Sequence, residues 1–341
     1  MAKVLIDALD SPLGALVAEL AATDPELAAV AALPASPAEL ERSMGGGEVV
    51  DVILCAPGAG ADTDGSRLGG VDLDGVERTL RAIGRACASG AAIRQIVVVS
   101  SAMVYGAWPD NPVPLTEDVV LRPNPGCGYA MDRAELERLA IEHVRAFPGP
   151  RLAVLRPSLT LGADRAAVEW LQRSLWSGPA FLAAGSDAPR QYLQLEDLAR
   201  AVEHARRSGL EGPFNVAPEG WLTAQRQREL AGRPQRTWVP RPLHGALVRL
   251  GWAVSALTTS PEVIPFVRDS WVVAADRLRA TGWEASMGNA EAYVLATRPG
   301  LWASLTGRRR QEVSLVGLLG GLGAVGWAVG SAVRRRRRVA V

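Results

Sequence analysis

The stretch QIVVVSSAMVYG, residues 95–106, decides the fold class of this 341-residue chain. Its first part, QIVVVSS (95–101), is the most strand-like run in the sequence, because β-branched residues follow one another without a charge. SSAMVYG (100–106) comes directly off this run, so two serines lie where the strand is expected to end. The segment therefore predicts a buried strand, and the type of sheet depends on its neighbours.

Short apolar runs alternate with helical patterns on both sides of this strand. The other expected strands are KVLID (3–7), LAAVAAL (27–33), VVDVILCA (49–56) and RLAVLRP (151–157). The expected helices are PLGALVAELAA (12–22), a segment around 71–89 and one that starts near Tyr129. Strands that alternate with helices are typical of parallel sheets with right-handed crossovers. The sequence therefore predicts an α/β fold, with a doubly wound parallel sheet over residues 1–157.

The pattern becomes less regular after about Leu159. EDLARAVEHARRS (196–208) predicts a helix, with acids in its first turn and arginines in its last, and GPFNVAP (212–218) predicts a strand. The remainder, to about Arg298, mixes helical patterns with loops that contain proline. We therefore expect a smaller α/β domain over residues 158–306 that closes over a cleft, with some strands and helices returning to the main sheet.

Residues 307–341 differ from both domains. VSLVGLLGGLGAVGWAVGSAV (313–333) carries no charge, and arginines flank it at 308–310 and 334–338. Its length suits an apolar helix that spans a bilayer, which needs roughly 20 apolar residues, and its two GxxxG pairs suit close helix packing. A glycine-rich segment that lies at an interface or stays disordered is the alternative. The sequence favours a membrane anchor that holds a cytoplasmic protein at the inner face of the membrane.

Composition excludes several classes of function. With 37 Lys and Arg residues against 36 Asp and Glu residues, the formal net charge is +1, which gives no general attraction to nucleic acid. Cys55, Cys87 and Cys127 form no CxxC pair, and the three histidines lack metal-ligand spacing, so neither disulfides nor a metal site is indicated. The N-terminus shows no charged-then-apolar leader, so no secretory signal is expected.

Several short motifs occur in an order and spacing that point to a family. SSAMVYG is followed by a loop with the residues TED (116–118), then by YAMDR (129–133), LRPSLTLG (155–162), YLQLEDLARAV (192–202), FNVAPEG (214–220) and DRLRATGW (276–283). Over about residues 3–285 this pattern resembles the extended short-chain dehydrogenases/reductases of the NAD-dependent epimerase/dehydratase group. The resemblance implies a Rossmann-like sheet, NAD or NADP as cofactor, and a nucleotide sugar or another secondary alcohol as substrate. It also implies homodimers, for which the helices near 71–89 and 129–147 are candidates.

The resemblance assigns catalytic roles to three residues. Ser101 would hydrogen-bond the substrate oxygen, and Tyr129 would exchange a proton with the substrate as acid and base. A free phenol has a pKa of about 10, and in the family a lysine one helical turn later lowers that pKa and holds the nicotinamide ribose. Here this position is Arg133, a cation on the same helix face whose charge is spread over a planar fork. Arg133 therefore suits part of the task of the lysine.

The turn expected to hold the cofactor departs from the family pattern. The three stations of the GxxGxxG turn fall on Ala8, Ser11 and Gly14, and only the last is glycine. Glycines normally let a pyrophosphate approach the backbone and the helix N-terminus. Ala8 and Ser11 instead place side chains there. Asp7 and Asp10 add negative charge, although Asp10 or Ser11 also suits a helix cap.

The adenosine side departs from the pattern as well. The second strand ends in LPASP (33–37), without the acid that binds the ribose of NAD or the arginine that binds the 2′-phosphate of NADP. Fewer than about 20 residues separate it from VVDVILCA, too few for the usual helix, third strand and helix. Asp72 stands where the family commonly has asparagine. These departures concern one ligand, so the sequence indicates a degenerate cofactor site.

Two functions of different classes follow from the sequence. The first is an NAD(P)-dependent epimerase/dehydratase-like oxidoreductase that uses Ser101, Tyr129 and Arg133. The second is a catalytically inactive, membrane-tethered binding or scaffold protein that kept the fold and lost the cofactor. The serine and tyrosine motifs favour the first function, and the altered cofactor site favours the second.

Overall fold

The strands of the molecule form a main sheet and a small second sheet. A computed structural model describes residues 2–34, 36–44, 47–55, 71–147, 149–162, 188–230, 249 and 261–296. Its strands are β1 (Ala2–Ile6), β2 (Leu27–Ala32), β3 (Val49–Leu54), β4 (Ala92–Val99), β5 (Arg151–Pro157), β6 (Leu159–Leu161), β7 (Tyr192–Gln194) and β8 (Gly212–Val216). The main sheet has the order β2-β1-β3-β4-β5-β8, and each neighbouring pair is parallel. β6 and β7 pair in parallel beside it.

Each helix that the sequence pattern predicts between residues 12 and 208 is present. The helices are α1 (Pro12–Ala22), α2 (Pro37–Met44), α3 (Leu73–Ala88), α4 (Gly128–Arg145), α5 (Leu195–Arg207), α6 (Ala224–Leu230), α7 (Ile264–Arg268), α8 (Asp276–Arg279) and α9 (Asn289–Ala296). Pro12 begins α1, and α5 runs from acidic to basic residues, as the helix dipole favours. The expected strands correspond to β1 to β5 and β8. The predicted α/β fold with a parallel sheet is confirmed.

Helices cover both faces of the main sheet. Along β4, Ile96 and Val98 pack with α2, α3 and α4, whereas Val97 and Val99 pack with α1 and α5. All four side chains are at most 4% exposed. A strand buried on both faces explains why QIVVVSS is a continuous apolar run rather than an alternating one. The predicted doubly wound arrangement is therefore confirmed.

The connection between β2 and β3 determines where a ligand site is expected. Among its described residues it contains α2, and β3 then pairs with β1 on the side opposite to β2. The strand order reverses at this point. Open α/β sheets bind ligands outside the carboxyl ends of their strands at such a switch point. The candidate site therefore lies at the ends of β1 and β3.

A second apolar cluster packs beside the carboxyl ends of the strands. It joins a 3₁₀ turn after β4, Ala102–Tyr105, to β6, β7, α7 and α9. The domain boundaries expected after residues 157 and 306 stay predictions. The expected apolar helix over 313–333 lies outside the described residues. Within the part of the chain that the structure describes, no helix is long and apolar enough to cross a membrane.

Candidate functional site

The turn between β1 and α1 keeps the backbone shape of a ligand-binding turn. Ala8 has a φ of 43°, in the left-handed region that favours glycine. Gly14 packs against this turn, and a Cβ placed on Gly14 would lie 2.3 Å from the Ala8 carbonyl oxygen. Glycine is therefore required at position 14 for the close approach of α1 to the turn, as at the third station of a dinucleotide turn.

The amino end of α1 is closed by the protein's own residues. Ser11 caps the helix, and its Oγ accepts a hydrogen bond from the backbone N–H of Gly14 at 3.0 Å. Pro12, the first helical residue, has no N–H to offer. Of the N–H groups at the first three helical positions, the N–H of Leu13 therefore remains, because Pro12 has none and that of Gly14 is bonded to the cap. Because such N–H groups bind phosphate at a helix N-terminus, most of the expected receptor is lost.

Asp7 joins the ends of β1 and β3 at the switch point. Its Oδ1 accepts a hydrogen bond from the backbone N–H of Cys55 at 2.5 Å, and its own N–H donates to the Ile53 carbonyl at 3.0 Å. Burial, together with the Asp7 carboxylate, raises the pKa of the Cys55 thiol well above its usual range. A carboxylate therefore lies beside the place where the family binds a pyrophosphate.

A cavity of about 330 Å³ lies beside the β1–α1 turn. Its wall is made by Asp7 and Ala8, by the ends of β2 and β3, and by the first residues of α2 and α3. Most of the lining is apolar, and the volume is at the lower end of the range for small-molecule sites. Asp72 caps α3 at the rim, where its Oδ1 accepts from the Gly75 N–H at 2.9 Å.

Ser101 and Tyr129 border the carboxyl end of β4. Ser101 is 6% exposed, and its Oγ accepts a hydrogen bond from the Met103 N–H at 3.2 Å, so it begins the 3₁₀ turn. Tyr129 lies in the first turn of α4 and is half-buried against the apolar cluster that contains this 3₁₀ turn. Its hydroxyl forms no hydrogen bond with any residue that the structure describes. The phenol is therefore able to bond to a ligand.

Arg133 lies one helical turn after Tyr129 and reaches the ends of β3 and β4. It is 5% exposed, and its Nη1 donates to the Val99 carbonyl at 2.7 Å and to the Cys55 carbonyl at 3.4 Å. Its guanidinium carbon lies 5.2 Å from the centroid of the Tyr129 ring, within the range of a cation–π contact. Arg133 thus contacts the phenol ring on one side and strand carbonyls on the other.

A buried ion pair supports this part of α4, and the sequence did not reveal it. Glu137, one helical turn after Arg133, is 1% exposed and accepts from Nη2 of Arg156 at 2.7 Å. Glu137 also accepts from the Ser100 hydroxyl at 2.5 Å. The pair joins α4 to β5 and to the end of β4, where Ser101 follows. Tyr129, Arg133 and Glu137 are four residues apart, and this spacing was the signal that could have predicted it.

The same network continues into the second cluster. Arg156 Nη1 donates to the Tyr105 hydroxyl at 2.8 Å, and this hydroxyl donates to Oδ1 of Asn215 at 2.8 Å. Burial raises the pKa of Tyr105 to about 12, so the phenol stays protonated. The Asn215 N–H donates to Glu117, the glutamate of the TED loop, at 2.9 Å. The motif residues Tyr105 and Glu117 are therefore structural parts of one network.

The two groups of predicted site residues lie along one edge of the sheet. Cys55 connects them, because its N–H bonds to Asp7 and its carbonyl oxygen bonds to Arg133. The structure thus places the residues expected at the cofactor turn next to the residues expected in catalysis. The first group is Ala8, Ser11 and Gly14, and the second is Ser101, Tyr129 and Arg133.

Comparison with a protein family identifies the chain's relationship. The sequence profile of the NAD dependent epimerase/dehydratase family matches residues 36–217. This chain belongs to that family. The matched region begins after the β1–α1 turn and includes the serine and tyrosine motifs. The suspected membership, inferred from motif order, is confirmed.

Curated relatives share part of the chain. "Uncharacterized protein Rv0501" of Mycobacterium tuberculosis (strain ATCC 25618 / H37Rv) is 30% identical over 173 residues, which are 50% of this chain and 43% of the relative. "Uncharacterized protein Mb0513" of Mycobacterium bovis matches with the same figures. The chain therefore spans less than half the length of the curated relatives that it matches.

Solved structures with a similar fold include several epimerases. The human epimerase family protein SDR39U1 with NADPH has a TM-score of 0.58 at 16% identity, covering 86% of this chain and 98% of its own. UDP-glucose 4-epimerase of Thermus thermophilus, in complex with NAD, has a TM-score of 0.56 at 21% identity, covering 86% and 97%. UDP-glucose 4-epimerase of Thermotoga maritima with UDP-glucose has a TM-score of 0.59 at 16% identity, with the same coverage. The Rossmann-like fold of the family is thus present here.

The family implies a nicotinamide dinucleotide, and the residues at the β1–α1 turn do not fit its pyrophosphate. Pro12 lacks an N–H, the N–H of Gly14 is bonded to Ser11, and Asp7 adds a carboxylate at the switch point. A pyrophosphate carries negative charge and requires hydrogen-bond donors at this place. The cavity and the Tyr129–Arg133 pair offer room and polar groups for a ligand, whereas the turn offers few free N–H donors among the described residues.

Proposed function

We propose that this chain is a nucleotide-sugar-binding protein of the epimerase/dehydratase family that does not use the family's dinucleotide for turnover. The observation that carries the proposal is the closed amino end of α1, where Ser11 takes the N–H of Gly14 and Pro12 offers none. Proteins of the same fold have been solved with UDP-glucose, and the ligand class is taken from them. In this function the β4–α4 edge binds the ligand, and no hydride is transferred.

The residues at the β4–α4 edge then serve binding. The Tyr129 hydroxyl has no bond to a described residue, so it is free to hydrogen-bond a sugar or phosphate oxygen. The Ser101 Oγ accepts from the Met103 N–H and keeps its own proton for a ligand acceptor. The buried pair of Glu137 and Arg156 holds α4 in position beneath this edge. Each side chain has a binding role that needs no proton transfer.

A second candidate function is the oxidoreductase of the family. One observation favours it: the Arg133 guanidinium lies 5.2 Å from the centroid of the Tyr129 ring, at the position where the family has a cation beside its tyrosine. In this function Tyr129 is acid and base, Ser101 orients the substrate oxygen, and Arg133 is the cation beside the tyrosine ring. The substrate would be a nucleotide sugar or another secondary alcohol.

We further propose that residues 313–333 attach the protein to the inner face of a membrane. Support comes from the uncharged segment of 21 residues and the arginines on both sides of it. Such a segment is long enough to reach across the hydrocarbon core. The bound ligand would then be held near the membrane surface, which suits a scaffold or sensor role.

Calorimetric titration of UDP-glucose into the full chain tests the proposed function, with Tyr129→Phe as the matched variant. We expect saturable binding by the wild type and affinity about threefold to tenfold lower in the variant, because one hydrogen bond is lost. We expect no epimerised or oxidised sugar, with or without added NAD or NADP.

Two results would decide against this proposal. The absence of UDP-glucose binding at millimolar concentration by folded protein would contradict it. Turnover that requires added NAD or NADP, and that Tyr129→Phe abolishes, would establish the oxidoreductase in its place.

A further inference from the structure

We propose that Arg133 binds an oxyanion of the ligand, a phosphate or a carboxylate, at the carboxyl ends of β3 and β4. This inference rests on the proposed function, because it names the chemical group that the bound small molecule carries. It moves the position of anion binding from the amino end of α1 to a side chain of α4. Three features of Arg133 lead to it: a charge without a carboxylate partner among the described residues, donors that bond to none of those residues, and suitable neighbours.

The first feature is the uncompensated charge. Among the described residues, the other buried arginines are paired: Arg156 contacts Glu137 at 2.7 Å, and Arg206 contacts Asp51 at 2.9 Å. Arg133 is just as buried, with 5% exposure, and makes no such pair with a described carboxylate. A buried charge without a partner is energetically unfavourable. Neutralisation by a bound anion would remove that cost.

The second feature is the set of free donors on the guanidinium. Nη1 is used by the carbonyls of Val99 and Cys55. Nε is fully buried and has no hydrogen-bond partner within the described parts of the chain, and Nη2 makes no bond to them. Nε and Nη2 form one edge of the planar fork, which matches the two oxygens of a carboxylate or phosphate. The edge that suits an oxyanion is thus the edge that makes no hydrogen bond to the described residues.

The third feature is the surroundings of the guanidinium. The Tyr129 ring covers Arg133 at 5.2 Å, and the Tyr129 hydroxyl offers a further donor to an anion. Burial raises the pKa of the neighbouring Cys55 thiol, so the thiol is neutral and does not compete for the cation. Asp7 lies on the far side of Cys55, where its Oδ1 is bonded to the backbone N–H. The cavity beside the turn is lined by Asp7 and by Leu54, the residue before Cys55.

The test compares the full-length wild type with Arg133→Met and Arg133→Lys. Arg94→Met is the control. Arg94 pairs with Asp51 in the amino-terminal halves of β3 and β4, away from the carboxyl ends where Arg133 lies. Inorganic phosphate and acetate, each matched in ionic strength by NaCl, are used in thermal melts, and UDP-glucose is used in calorimetry. We expect phosphate or acetate to raise the wild-type midpoint by specific binding. The affinity for each of these ligands that binds the wild type should fall at least about tenfold in Arg133→Met and by less in Arg133→Lys. It should stay unchanged in Arg94→Met.

The arms of the test separate the possible outcomes. Stabilisation by phosphate alone identifies a phosphate-bearing ligand, and stabilisation by acetate identifies a carboxylate. Equal responses of wild type and Arg133→Met would overturn the inference, whereas UDP-glucose binding by the wild type would leave the proposed function standing. If the Arg133 variants fail to fold, a crystal structure of the wild type with phosphate decides. Density within hydrogen-bond distance of Nε supports the inference, and its absence at saturating phosphate overturns it.

Discussion

The β1–α1 turn and the β4–α4 edge both lie at the carboxyl ends of the strands of one sheet. The turn departs from the family pattern, whereas the edge keeps the serine and the tyrosine of that pattern. At the turn, Ala8 has a positive φ and Gly14 packs closely, while the N–H of Gly14 is bonded to Ser11 and Pro12 has no N–H. At the β4–α4 edge, Ser101 and Tyr129 are kept, and a buried ion pair supports them. Among the described residues, the turn thus offers few free N–H donors, whereas the edge offers the hydroxyls of Ser101 and Tyr129.

This difference shows that the shape and the chemistry of a binding turn are separate requirements. The shape of the turn is needed for α1 to pack on the sheet, whether or not a ligand is present. The donors of the turn are needed only for the ligand. The family match begins at residue 36, after the turn, and continues through the β4–α4 edge, in agreement with this division.

The largest effect is expected at the β4–α4 edge, from Glu137→Leu. The change removes the partner of a buried arginine, and we expect the free energy of unfolding to fall by about 3–5 kcal/mol in urea titrations. Glu135→Gln is the control on the same helix, since Glu135 pairs with Arg138 in solvent and its loss should change stability far less. Equal losses of stability in the two variants would contradict the claim that the buried Glu137–Arg156 pair stabilises the β4–α4 edge.

A smaller effect is expected at the turn, from Gly14→Ala. The new Cβ would meet the Ala8 carbonyl oxygen at 2.3 Å, so we expect a loss of about 1–3 kcal/mol in the free energy of unfolding. Gly128→Ala is the control, because a Cβ at that helix start meets no atom within 4 Å. Stability there should be unchanged or rise by up to about 1 kcal/mol. A harmless Gly14→Ala would mean that the turn does not keep the shape of a ligand-binding turn.

Most of the fold could be predicted from the sequence because its strands are buried on both faces. QIVVVSS and VVDVILCA are mostly apolar, with Asp51 the one charged residue in them, and the first helix has a clear start at Pro12. The helix α2 was not predicted. Its eight residues, PAELERSM, form a short amphipathic segment within an interval that appeared too short for the family's usual elements.

The features of the candidate site that could be predicted are those that depend on the type of a single residue. The missing glycines at positions 8 and 11 and the capping role of Ser11 were readable, since each depends on local backbone chemistry. The pairing of Glu137 with Arg156 joins residues 19 positions apart through a fold contact. The absence of a carboxylate partner for Arg133 among the described residues is likewise a property of the tertiary structure. The spacing of Tyr129, Arg133 and Glu137 places Glu137 on the same face of α4, but no local pattern identifies Arg156 as its partner.

Titration of NADH and NADPH into the full chain tests the central claim most directly, with UDP-glucose binding in the same preparation as the control for folding. A double variant, Ser11→Gly with Pro12→Ala, returns two N–H groups to the amino end of α1. We expect no saturable binding of either dinucleotide below millimolar concentration in the wild type, and tighter binding in the double variant. Micromolar binding of NADH or NADPH by the wild type would contradict it.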